Sequence, residues 1–176
     1  MTKRTVLVVG TGTIGEPLIG LLCDFSEELG IGNVLFHKRT PLSYERPKVN
    51  SLIDRGAKLV VDETVIEEFA DLGHRVSFTT TNALELADVV IDCTPAGNEN
   101  KKLFYEEFSK NSDKVFIAQG SEKGFGIPFA HGINDALLLQ ERPSYIQVVS
   151  CNTHNIAGLI KTIDPTLTAV TMADFV

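Results

Sequence analysis

Thr5-Val6-Leu7-Val8-Val9 runs directly into Gly10-Thr11-Gly12-Thr13-Ile14-Gly15. An uninterrupted apolar run of this kind reads as a parallel strand covered on both faces. A Gly-x-Gly-x-x-Gly pattern that follows a strand and opens a helix is a dinucleotide fingerprint in the context it requires. The glycines allow a tight turn and a close backbone approach to a pyrophosphate. The helix start adds N–H groups and a positive dipole end. Gly10, Thr11, Gly12, Thr13, Ile14 and Gly15 are therefore the first candidate cofactor-binding residues. A purely structural glycine turn is the competing reading.

The alternation continues outward from that stretch. A helix is predicted from about Ile14 to Leu29, stopped by Gly30 and Gly32, with Pro17 tolerated near its first turn. Asn33 to His37 is the second strand, Val49 to Arg55 a short helix, and Lys58 to Val61 the third strand. Thr64 to Leu72 reads as a helix with Thr64 as N-cap and Gly73 as its stop. Arg75 to Thr79 reads as a strand, and Asp88 to Asp92 as a buried one. A helix over Asn98 to Lys110 and strands over Lys114 to Ala118 and Ile146 to Ser150 follow. Gly120 to Gly132 reads as a glycine-rich loop over the sheet's carboxyl edge, and Ile156 to Ile163 as a last helix. Helix following strand in this order predicts an α/β fold, a doubly wound, mostly parallel sheet of the Rossmann type.

The chain has 176 residues, enough for one sizeable core. Asp164-Pro165 reads as a boundary, so residues 1–164 are the expected dinucleotide-binding domain. Residues 165–176 are expected to begin a second domain, with the apolar stretch from Leu167 to Val176 as its first strand. On this reading the sequence is part of a longer enzyme and is inactive by itself. The net charge of −7 argues against nucleic acid as a partner, because a phosphate backbone needs a basic face. No apolar run approaches the ~18–20 residues of a membrane span. Cys23, Cys93 and Cys151 are odd in number and widely spaced, which points to neither a zinc site nor a disulfide framework. No metal is expected, and a reducing cytoplasm is the default compartment.

Three further places carry chemistry. The second strand ends in His37-Lys38-Arg39-Thr40, where many NAD-binding proteins carry an acid. Lys38 and Arg39 suit a 2′-phosphate, so NADP is the preferred cofactor, with NAD the other. A solvated basic corner is the bland alternative, and His37 is read as structural. The run Asp92-Cys93-Thr94-Pro95-Ala96-Gly97 ends a central strand at the ligand-binding edge. Thr94, Pro95, Ala96 and Gly97 there let the backbone lie beside a cofactor. Cys93 within its apolar run, and Cys23 on a helix face, read as packed residues.

Cys151 differs. It follows the strand Ile146 to Ser150 and precedes a helical pattern, which puts it near a helix N-terminus. Such a position lowers a thiol pKa and steadies an oxyanion. Ser150, Asn152 and Thr153 surround it with polar groups, and His154 is either a polarising partner or solvent-facing. A cradle plus such a thiol suggests thiolate attack on an aldehyde, followed by hydride transfer to a nicotinamide.

Together these segments resemble the archaeal-type (class II) glyceraldehyde-3-phosphate dehydrogenases. Gly10 to Gly15, Lys38-Arg39-Thr40-Pro41, Asp88 to Gly97 and Val149-Ser150-Cys151-Asn152-Thr153 carry the likeness, in order and spacing. Gln119-Gly120-Ser121-Glu122-Lys123 looks like the family's Gln-Gly-Gly-Glu-Lys. The resemblance implies that Thr13, Ile14, Gln119 and Gly120 meet the cofactor and that Lys38 and Arg39 meet its 2′-phosphate. It also implies that Cys151 is the nucleophile and that Ser150, Asn152 and Thr153 border the substrate. That substrate would be a phosphorylated aldehyde, with inorganic phosphate as co-substrate and a homo-oligomer as the complete protein. The chain departs from the family's Asn-Thr-Thr-Gly-Leu after the nucleophile, having Asn152-Thr153-His154-Asn155-Ile156-Ala157-Gly158-Leu159. The family's general-base histidine and phosphate-binding residues are expected beyond this stretch of sequence. Two rivals stand beside this reading. One is another thiol-dependent semialdehyde dehydrogenase, and the other a non-catalytic dinucleotide-binding redox module.

Overall fold

The structure, a computed structural model, describes residues 3–110, 112–119, 122–166 and 168–174. Its centre is an eight-stranded sheet in which every pairing is parallel. The strands are β1 (Arg4–Val9), β2 (Ile31–His37), β3 (Lys58–Val61), β4 (Phe78–Thr79), β5 (Val89–Asp92), β6 (Val115–Gln119), β7 (Ile127–Phe129) and β8 (Tyr145–Val148). Their order across the sheet is β4-β3-β2-β1-β5-β6-β8-β7. The chain builds outward from β1 to one side, then crosses to β5 and builds to the other. The switch point lies between β1 and β5, where ligands of doubly wound sheets bind.

Alternation along the strands explains the two covered faces. Val6, Val8, Val34, Phe36, Leu59 and Val61 point to one side, where they pack with Ile19, Leu22, Val49, Leu52 and Phe69. Those partners come from α1 (Gly15–Asp24), α2 (Arg46–Asp54) and α3 (Ile66–Asp71). Leu7, Leu35, Val60 and Val90 point to the other side, onto Ala83 and Leu84 of α4 (Thr80–Leu86) and onto Tyr105, Phe116 and Phe125. The doubly wound Rossmann-type fold read from the apolar runs is the fold observed.

Several boundaries differ from the sequence reading. The first helix closes at Asp24, because Ser26 to Leu29 form turns and the Ile31 N–H returns 2.7 Å to the Ser26 carbonyl. Thr64 is not an N-cap. It lies inside a 3₁₀ turn, Glu63–Val65, closed by a 3.1 Å bond from the Val65 N–H to the Asp62 carbonyl. The strand expected over Arg75 to Thr79 pairs only at Phe78 and Thr79. Thr79 then caps α4, its hydroxyl accepting from the Asn82 N–H. The glycine-rich stretch contains β7, because Gly126 lets the chain lie against β8. A Cβ on Gly126 would sit 2.2 Å from the Tyr145 carbonyl carbon. The expected helix over Asn98 to Lys110 is α5 (Gly97–Asn100), a π-helical turn (Lys101–Tyr105) and α6 (Glu106–Ser109) in succession. Ala136–Gln140 forms α7. The last helix, α8 (Cys151–Ile163), starts earlier than expected.

The strand expected over Leu167 to Val176 is not formed in residues 168–174. One carboxylate oxygen of Asp164 accepts the Ala169 and Val170 N–H groups at 2.6 and 2.9 Å, which folds the segment back as a loop. Among the described residues no helix is long and apolar enough to cross a membrane.

Candidate functional site

A cleft of about 590 Å³ opens along the carboxyl edge at the switch point. That volume lies within the usual range for a small-molecule site, roughly 300–1,000 Å³. Its floor is Leu7, Val9, Gly10, Thr11 and Gly12, and its two ends are His37 to Thr40 and Thr94 to Ala96. Of the predicted cofactor residues, it brings together Gly10, Thr11, Gly12, Lys38, Arg39, Thr94, Pro95 and Ala96. Thr13 and Ile14 are exposed on the loop beside it, and Gly15 is buried beneath. Gly97 starts α5, Gln119 ends β6, and Gly120 lies outside the described residues.

The glycines of the loop have distinct jobs. Gly10 has φ +96°, which an L side chain rarely adopts. A Cβ on Gly15 would lie 1.9 Å from the Gly10 carbonyl oxygen, so only glycine lets helix and loop meet there. A Cβ on Gly12 would meet nothing within 4 Å. The space over Gly12 is thus open to a ligand that approaches the backbone. This loop, ending at the N-terminus of α1, fits a dinucleotide pyrophosphate.

Around Thr94 the cleft is stiffened from below. Asp92 ends β5 with 1 % of its surface exposed. Its Oδ1 accepts from the Thr94 N–H at 2.8 Å and the Thr94 hydroxyl at 2.6 Å. Its Oδ2 accepts from Asn100 Nδ2 at 2.8 Å and Tyr105 Oη at 2.6 Å. Burial, with the Asp92 charge second, pushes the Tyr105 phenol well above its ordinary pKa, so the phenol stays a donor. Thr94 Oγ1 in turn accepts from the Ala96 N–H at 3.2 Å.

The opposite end holds charges the sequence reading did not include. Lys38 is not a free cation. It is buried, and its Nζ lies 2.5 Å from Glu45 Oε2. Glu45 Oε1 takes Lys48 Nζ at 3.0 Å. Hydrogen bonds from Lys38 and then Lys48 hold the Glu45 carboxyl below its ordinary range. Arg39 is exposed at the rim. His37 Nε2 is hydrogen-bonded to Asp62 Oδ1 at 3.2 Å. That hydrogen bond, outweighing partial burial and helped by Thr80, lowers the Asp62 carboxyl to about 2. Glu45 is only seven residues from Lys38, and the turn between them is its only sequence signal. Asp62 had none beyond its place at the end of a strand.

The thiol sits further along the same edge. Cys151 is exposed and is the first residue of α8, directly after β8. Ser150 caps this helix, its hydroxyl accepting from the Thr153 N–H at 3.3 Å and lying 2.9 Å from Thr153 Oγ1. His154 Nε2 donates to the His131 carbonyl at 2.9 Å, so its ring is tied to the loop before α7. Ser150, Cys151, Asn152 and Thr153 do not line the cleft at the glycine loop. They lie three strand positions from β1, through β5, β6 and β8. At ~4.8 Å per strand this is on the order of 14 Å. Cys93 and Cys23 are both half-buried. Burial, with Asp92 second, pushes the Cys93 thiol up to about 12. Burial also raises that of Cys23. Among the described residues no group of His, Cys, Asp and Glu is placed to hold a metal ion.

No family model matches the chain. It is 31 % identical over 172 residues to the glyceraldehyde-3-phosphate dehydrogenase of Sulfolobus acidocaldarius, covering 93 % of this chain and 45 % of that protein. It is 28 % identical over 163 residues to the one from Thermoplasma volcanium, with 89 % of this chain and 42 % of the relative covered. It is 31 % identical over 172 residues to glyceraldehyde-3-phosphate dehydrogenase 1 of Methanosarcina acetivorans, over 94 % of this chain and 45 % of the relative. The resemblance to the archaeal enzymes thus runs along nearly all of this chain. The chain spans less than half the length of these relatives.

Proposed function

We propose that this chain carries the cofactor cradle and the nucleophilic thiol of an NAD(P)-dependent, phosphorylating glyceraldehyde-3-phosphate dehydrogenase. The observation that carries the reading is the shared edge. An all-parallel sheet sets the glycine loop after β1, the Thr94 turn after β5 and Cys151 after β8 on one side of the molecule. A dinucleotide bound across a switch point has one half on each side of the pyrophosphate. The charged corner around Arg39 then takes the adenosine half, and the β5–β6–β8 side, with the thiol, takes the nicotinamide half.

When bound, the nicotinamide supplies the hydride acceptor. The chain's own residues do the rest. Gly10 to Gly15 hold the pyrophosphate through backbone N–H groups and the start of α1. The Asp92 network fixes the Thr94 turn beside it. The Cys151 sulfur bonds to the aldehyde carbon, and the first turn of α8 stabilises the oxygen that becomes negative. Loss of hydride from that carbon leaves a thioester on Cys151. A phosphate oxygen then attacks the thioester carbon, the S–C bond breaks, and the thiolate returns. Ser150 and Thr153 contribute by closing the helix cap that presents Cys151, and Asn152 borders the substrate. Arg39 favours NADP over NAD by pairing with the 2′-phosphate.

The test is mass mapping of the full-length protein after glyceraldehyde-3-phosphate and oxidised cofactor are added without phosphate. An acyl adduct on the Cys151 peptide that needs both reagents, and that phosphate removes, is the expected result. An adduct on Cys93, or none while the cofactor binds, would overturn the assignment.

A further inference from the structure

Lys38, Lys48 and Arg39 line the adenosine end of the cleft, and the carboxylates of Glu45 and Asp62 line it with them. The Glu45 side chain is 17 % exposed and Lys38 is 9 % exposed, so their 2.5 Å pair is largely withdrawn from water. The other oxygen of Glu45 takes Lys48 at 3.0 Å. Lys48 reaches further, to the Thr11 carbonyl of the glycine loop at 3.4 Å and to Glu16 of α1 at 3.5 Å. Glu45 therefore holds both ammonium groups of this corner, and it does so next to the loop that receives the pyrophosphate. Each is an ion pair at a site from which solvent is partly excluded, where charges are weakly screened.

We propose that Glu45 is the specificity-determining residue of the cleft, setting the NADP-to-NAD preference by competing with a 2′-phosphate for Lys38 and Lys48. This rests on the reading of the cleft as a dinucleotide site. The reasoning is electrostatic. A phosphate monoester carries a charge of about −1.5 to −2 near neutrality. Placed in this corner it gains Arg39 and the lysines, but it must displace or lie beside the Glu45 carboxylate. A ribose 2′-hydroxyl brings no charge, and a carboxylate is the usual group that accepts its hydrogen bond. Glu45 thus penalises NADP and favours NAD. It supplies, from the turn after β2, the acid that the strand end itself lacks. The consecutive cations Lys38 and Arg39 overstate the preference for phosphate, because Lys38 is already paired.

The experiment compares the intact chain with its Glu45→Gln, Glu45→Asp and Lys48→Gln variants. Dissociation constants for NADPH and NADH are read from the fluorescence of the reduced nicotinamide. Glu45→Gln is expected to raise the ratio of NADPH to NADH affinity by ~10-fold, a change worth ~1.4 kcal/mol. Glu45→Asp keeps the charge and should leave the ratio within about threefold of the parent. Lys48→Gln should lower it, which keeps the idea exposed if Glu45→Gln does not fold. General loss of structure weakens both cofactors alike and leaves the ratio unchanged. A ratio unmoved or lowered in a folded Glu45→Gln protein overturns the proposal, as does a raised ratio in Lys48→Gln when Glu45→Gln fails to fold. If the parent binds neither cofactor, the dinucleotide reading fails and this inference fails with it.

Discussion

Tyr105 Oη donates a 2.6 Å hydrogen bond to Asp92 Oδ2, joining the π-helical turn after α5 to the end of the central strand β5. The phenol ring is 2 % exposed and stacks on Phe116, with centroids 5.2 Å apart. A polar contact at the ligand edge is thus anchored in the apolar core. A π turn inside a helix often marks a functional position. Here it sets Tyr105 beneath the cleft.

Tyr105→Phe keeps the ring and removes one of the four donors to Asp92. A buried carboxylate that loses a partner costs ~1–3 kcal/mol. The loss should fall at the lower end, because Thr94 and Asn100 remain bonded to it. Urea unfolding should therefore show a reduced midpoint with an unchanged slope. Cofactor affinity should also weaken, since Thr94 lines the cleft.

Two glycines of one motif should separate folding from binding. Gly15→Ala drives a Cβ to 1.9 Å from the Gly10 carbonyl oxygen, so the loop or α1 must move. A loss of several kcal/mol, in the range of overpacked or strained sites, is expected in thermal unfolding. Gly12→Ala meets nothing within 4 Å and should leave stability within about 1 kcal/mol. Its methyl group projects where a pyrophosphate would approach, so dinucleotide affinity should drop tenfold or more. Equal destabilisation by both variants would contradict this division.

The fold was legible because chemistry and periodicity agreed at its centre. The bounds Lys58 to Val61 expected for the third strand are those of β3, since a short apolar run ending in two valines after Gly56 has few alternatives. The parts misread are those decided at a distance. The segment from Thr80 to Leu86 carries no expectation from its sequence, and the Thr79 cap opens it as α4. β7 hides in a glycine-rich stretch because its pairing with β8 is long-range. The cation pair Lys38-Arg39 was visible, but not that Lys38 turns inward to Glu45. Periodicity locates elements. It does not say which of two adjacent side chains the following turn will neutralise.

Asp62 should give the protein part of its resistance to acid. The folded carboxyl titrates at about 2, lowered first by the His37 hydrogen bond and further by Thr80. In the unfolded chain an aspartate titrates near ~3.9. A depressed folded pKa stabilises the fold above the unfolded value, and that stability is lost as pH falls through the folded one. The window is therefore about pH 4 to 2. The Asp62 side chain is 43 % exposed, so solvent screening keeps the effect small. Asp62→Asn should be less stable than the parent at pH 5, and the gap should close as pH falls to 2. A gap that widened on acidification would have the wrong sign for this linkage.

Arg39 tests the cation at the rim. Arg39→Asp replaces a group that pairs with a 2′-phosphate by one that repels it and can accept ribose hydroxyls. Titration calorimetry should show the preference for NADP over NAD narrowed or reversed. If Arg39→Asp left the ratio of NADP to NAD affinity unchanged, Arg39 would not be acting as a phosphate ligand.

The cysteines give the sharpest ranking. Alkylation requires thiolate and access together. Cys93 has little of either. Its thiol is half-buried and pushed up to about 12, first by burial and then by Asp92. At neutral pH almost none of it is thiolate. Cys23 is also half-buried, with burial raising its thiol despite the Arg55 charge nearby. Cys151 alone is exposed, at the first position of α8 behind the Ser150 cap. Iodoacetamide on the native protein at pH 7 should therefore label Cys151 first and Cys93 last, as followed by peptide mass mapping over time. Bound dinucleotide can slow the first step by covering the edge, but it should not reorder the three. Cys151→Ser should remove the fast phase and leave the slow ones. Were Cys93 to label first, the nucleophile would be misassigned, and the thioester chemistry built on Cys151 would fall with it.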